Sequence, residues 1–85
     1  MVTRDFIEKL KKFEGSNVYI EIKNKLYGNQ KVKCALRLID DEERLGFIVQ
    51  NGLIYIYKDN IGNFGIIDNI YYFADDIMCV SINKI

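Results

Sequence analysis

The chain has 85 residues, 49% of them hydrophobic and 28% charged, with twelve basic against twelve acidic side chains and no histidine, proline or tryptophan. That suffices for one modest core and not for two, and the balance is that of a folded domain rather than a disordered segment. Overall neutrality argues against strong sequence-independent nucleic-acid binding, and no apolar run approaches the ~20 residues of a membrane span.

Phe6, Ile7, Leu10 and Phe13 recur at helical spacing, with Arg4, Glu8, Lys9, Lys11 and Lys12 on the other face, so residues 3–13 are predicted as an amphipathic helix. Thr3 caps it and Gly15 supplies a left-handed stop. From Asn17 the period becomes two: over 17–26, Val18, Ile20 and Ile22 alternate with Tyr19, Glu21 and Lys23. After a turn at Gly28-Asn29, a second strand over 31–39 sets Val32, Cys34, Leu36 and Leu38 against Lys31, Lys33, Ala35 and Arg37. Asp40 to Glu43 follow as a solvated loop.

Segments 45–50 and 53–58 flank Asn51-Gly52, a strong hairpin signal. Both are apolar on both faces. Residues 59–65, with Gly62 and Gly65, form a loop. An apolar piece over 66–73 follows, which Asp68-Asn69 has the composition to split; Ala74 to Asp76 turn, with Asp75 bonding to nearby backbone, and 77–82 form the last strand. A helix followed by short turn-connected strands does not fit βαβ crossovers, but fits one small antiparallel barrel occupying residues 1–85.

Two segments resemble the Sm-like family, the small barrels that include bacterial Hfq. Asn17–Asn24 (NVYIEIKN) is similar to the first strand of that family's first motif, and Tyr72–Val80 (YFADDIMCV) to its second motif, where Phe73 and Ala74 stand in place of Arg and Gly. The resemblance implies a mainly β, SH3/Sm-like barrel of five to six strands with one N-terminal helix, and a ring binding single-stranded RNA. The Arg and Gly positions that help form the family's RNA pocket are not matched.

No histidine, activated serine, phosphate-cradling glycine loop or defined carboxylate pair is evident, so the chain is expected to be no enzyme, with no cofactor, no metal and no small-molecule substrate. Asp75-Asp76 is expected, like the Asp40 to Glu43 run, to be a solvated turn. Cys34 and Cys79 sit in apolar strand patterns, as free thiols of a reducing compartment do, and Thr3, Arg4 and Asp5 offer no export signal, so a cytoplasmic location is expected.

Two functional surfaces stand out. Strands apolar on both sides exceed what one small interior hides, so Phe47, Ile48, Tyr55, Tyr57, Tyr72, Met78 and Val80 are candidates for an interface with a second copy or a protein partner. Residues 1–37 carry a net +5 and residues 38–85 a net −5, a segregation that favours head-to-tail contacts closing into rings. Tyr19, Lys23, Lys31, Lys33 and Arg37, with Lys25 and Tyr27 beside them, are the candidates for single-stranded nucleic acid, which takes cations on its phosphates and flat rings on its bases.

Overall fold

The computed structural model describes residues 2–50 and 52–85. Helix α1 covers Arg4–Lys11 and starts at Thr3, whose Oγ1 accepts a hydrogen bond from Phe6 N at 3.3 Å. It is shorter than the predicted 3–13, because Phe13 N already turns back to Leu10 O and Gly15, at φ +82°, leaves the helix toward Leu36 O.

Eight strands follow among the described residues: β1 (Asn17–Asn24), β2 (Gly28–Ala35), β3 (Leu38–Asp40), β4 (Arg44–Val49), β5 (Gly52–Tyr57), β6 (Asn63–Ile67), β7 (Ile70–Ala74) and β8 (Met78–Lys84), with a short 3-10 turn at Lys58–Asn60. Every pairing is antiparallel. The protein is mainly β with one helix, and its strands form a five-stranded sheet, β2-β1-β8-β7-β6, and a three-stranded sheet, β3-β4-β5.

The count exceeds the five to six expected because two predicted strands divide. The 31–39 strand crosses from one sheet to the other: Leu36 N bonds back to Ser16 O, Arg37 O accepts from Ile48 N at 2.8 Å, and Leu38 opens a new ladder opposite Phe47. Its alternation is continuous although its partner changes. The 66–73 piece splits at Asp68 and Asn69, whose φ of 51° and 66° fold it into a two-residue hairpin, with Ile67 opposite Ile70. β6 therefore begins at Asn63, inside the predicted loop, and β8 runs on to Lys84. The hairpin expected around Asn51-Gly52 is present as the β4–β5 pair, one residue earlier than expected: Val49 stands opposite Gly52, which opens β5 instead of lying in the turn, and Asn51 itself lies outside the described residues.

The core lies between the inner faces of the two sheets and, among the described residues, contains no buried polar residue. β1 contributes Val18, Ile20 and Ile22, and β4 faces them with Leu45 and Phe47. Helix α1 closes one side through Phe6, Ile7 and Leu10; the Phe6 ring is 5.3 Å from Phe64 and the Phe13 ring 4.9 Å from Tyr71, both edge-on.

Candidate functional site

Strand alternation turns a second set of side chains to water on each sheet. On β4, Leu45 and Phe47 point inward, which puts Ile48 outward; on β5, Ile56 is inside and Leu53, Tyr55 and Tyr57 are outside. The register arranges this outer face of the three-stranded sheet in rows: Arg37, Ile48 and Leu53; then Ile39, Gly46 and Tyr55; then Arg44 and Tyr57. Ile48, Leu53 and Tyr57 remain 38%, 52% and 48% exposed. The middle row is tight: a Cβ on Gly46 would run into the β5 backbone at Ile54 and Tyr55. β5 has no strand on its other side among the described residues, and no charged side chain interrupts its six residues.

Charge is confined to the ends of that face. At one end Arg37 is exposed and enters no ion pair among the described residues. At the other, Asp41 accepts from Glu43 N and Arg44 N and pairs with the Arg44 guanidinium at 2.6 Å, which holds the Asp41 carboxyl below its usual range. Arg44 also lies over the Tyr55 ring, 5.1 Å from its centroid, and Tyr55 meets Tyr57 edge-on at 5.5 Å. Glu42 and Glu43 are exposed and enter no ion pair among the described residues.

The outer face of the five-stranded sheet is mixed. Lys33, Tyr19, Asn83, Ile70 and Ile67 form one cross-strand row, and Lys31, Glu21, Ser81, Tyr72 and Gly65 the next. Lys33 Nζ stands 5.7 Å from the Tyr19 ring centroid, while Lys23 and Lys31 each lie 3.5 Å from Glu21. A hollow of about 410 Å³ opens between Tyr19, Lys31 and Ile70 over Ser81 and Asn83.

These faces sort the candidates. Tyr19, Lys23, Lys31 and Lys33 come together on the five-stranded sheet; Arg37 does not, because the chain has by then crossed to the other sheet. Of the interface candidates, Ile48, Tyr55 and Tyr57 share the outer face of the three-stranded sheet. Phe47 and Val80, 0% and 1% exposed, are core residues and are withdrawn as surface candidates. Met78 packs half-buried against the core, and Tyr72 lies on the other sheet with its ring across Gly65. A strand apolar on both sides carries no local mark of which side is inside, which is why Phe47 and Val80 stand among the sequence candidates and Leu53 does not; Ile39 joins this face because its strand pairs with β4 in the other sheet.

The acidic run also divides. Asp41, Glu42 and Glu43 are exposed, but the Asp40 side chain is only 9% exposed and receives Arg4 at 2.7 Å, Lys11 at 2.8 Å and Lys58 at 2.6 Å. Burial alone would raise the Asp40 pKa, and the three cations outweigh it and hold the carboxyl far below its usual range. Asp75 Oδ1 accepts from Ile77 N and Met78 N and shapes its turn, as expected. Cys34 and Cys79 are free thiols, both half-buried. Among the described residues no cluster of potential metal ligands occurs, and no helix is long and apolar enough to cross a membrane. Comparison with family models, curated proteins and solved structures finds no match for this chain.

Proposed function

We propose that this protein is a non-catalytic interaction module that self-associates, or docks on a protein partner, through the outer face of its three-stranded sheet. The observation that carries this is the contiguous row structure of Ile48, Leu53, Tyr55 and Tyr57 beside the charge-free edge of β5. Covering such side chains returns roughly 25 cal/mol per Å² of apolar area removed from water, and an open apolar edge invites a further strand. Light scattering at high micromolar concentration tests it. The native chain is expected to exceed its 10.0 kDa single-chain mass, and Ile48→Glu with Leu53→Glu to return it to one chain that keeps the native circular-dichroism spectrum. A native mass of one chain would count against self-association.

A second reading is a ring of SH3/Sm-like barrels that binds single-stranded RNA, favoured by the hollow between Tyr19, Lys31 and Ile70 with Lys33 beside it. Stacking on Tyr19 and phosphate contacts to the lysines would make binding salt-sensitive. Glu21 within the patch offsets Lys23 and Lys31. Filter binding of a short oligouridylate at low salt is expected to weaken when Lys31 and Lys33 become Glu; no binding at low salt ends this reading.

A further inference from the structure

The outer face of the three-stranded sheet is charge-complementary to itself. Arg37 marks one end and Glu42 with Glu43 the other, separated along β4 by four residues, or ~13 Å of strand. Asp41 and Arg44 neutralise each other, so the end charges left over are those of Arg37 and the two glutamates. Between them lie the apolar side chains of Ile39, Ile48, Leu53, Tyr55 and Tyr57, half-buried or exposed.

We propose that two copies of this chain pack this face against itself about a two-fold axis along the Ile39–Gly46–Tyr55 row. Rotation about that axis reverses the strand direction and keeps each strand over its counterpart. Arg37 of each copy then stands over the Asp41 to Glu43 turn of the other, because that turn continues β3 at the opposite end, and Leu53 of each copy stands over Tyr57 of the other. The ends of this face match by rotation, the isologous arrangement of closed dimers, where the charge segregation along the sequence suggested head-to-tail rings. The assignment rests on the self-association reading and specifies its geometry.

Sedimentation equilibrium of the full chain tests it, with Arg37→Glu and with Glu42→Lys plus Glu43→Lys. Both sites are exposed, so an unchanged circular-dichroism spectrum establishes folding in each variant, whatever the loss of the dimer does to the melting temperature. The native chain is expected at twice 10.0 kDa. Each variant set alone opposes like charges twice and should weaken the dimer at least about tenfold. The three substitutions together, or an equimolar mixture of the two variant chains, should restore it. A two-chain mass unchanged by either variant set overturns the ion pairing while leaving self-association standing. A native mass above two chains overturns the two-fold geometry, and a native mass of one chain overturns both the geometry and the self-association reading.

Discussion

Lys58 Nζ lies 2.6 Å from Asp40 Oδ1, and the two side chains are only 15% and 9% exposed. Lys58 follows β5 and Asp40 ends β3, so this contact ties the two edges of the three-stranded sheet together, while Arg4 and Lys11 bring α1 onto the same carboxylate. One aspartate thereby fixes the helix to the sheet.

Asp40→Asn should cost about 2–3 kcal/mol in urea unfolding, since it leaves the nearly buried Lys58 ammonium without its counter-charge; Arg4 is exposed and contributes little. An unchanged midpoint would show the cluster to be ornamental.

The same carboxylate sets an acid dependence. Its folded pKa is depressed, so its stabilisation is fully present above the unfolded value of about 4 and is lost as pH falls below that toward the folded value. The stability gap between the native protein and Asp40→Asn should be constant from pH 7 to 5 and shrink below pH 4. Denaturant titrations of both proteins at each pH measure it.

Gly46→Ala should destabilise by about 3 kcal/mol or more, because the added methyl meets β5 backbone at Ile54 and Tyr55 rather than a side chain able to turn aside. Loss of the folded baseline in circular dichroism at 37 °C would be the extreme form of that outcome. Gly52→Ala, where an added Cβ meets nothing, is the control and should leave stability nearly unchanged.

Adjacent residues on β4 should behave oppositely. Phe47→Ala empties a fully enclosed position and should cost about 3–5 kcal/mol. Ile48→Glu, on the outer face, should leave single-chain melting within about 0.5 kcal/mol of native while changing the measured mass. Equal loss of stability in both would place Ile48 in the core and remove the proposed interface.

At the β6–β7 hairpin, Asn69→Ala should cost about 1 kcal/mol, because φ of 66° at that position is tolerated by Asn and Gly and strained for Ala. Asn69→Gly should be neutral or slightly stabilising, and thermal melting of the pair checks the sign.

The sequence by itself determined whatever depends on neighbouring residues: the Thr3 cap and 3.6-residue stripe of α1, the clean alternation of β1, and the backbone-bonding Asp75 turn. Each follows from sterics or hydrogen bonds within a few positions. Tertiary structure alone decided where the 31–39 alternation changes sheets, whether Ile48 or Phe47 faces the core, and that Asp40 leaves its acidic neighbours to meet Arg4, Lys11 and Lys58. Strand pairing and burial are contacts between residues far apart in the chain, and a period of two is unchanged by swapping inside for outside when both faces are apolar.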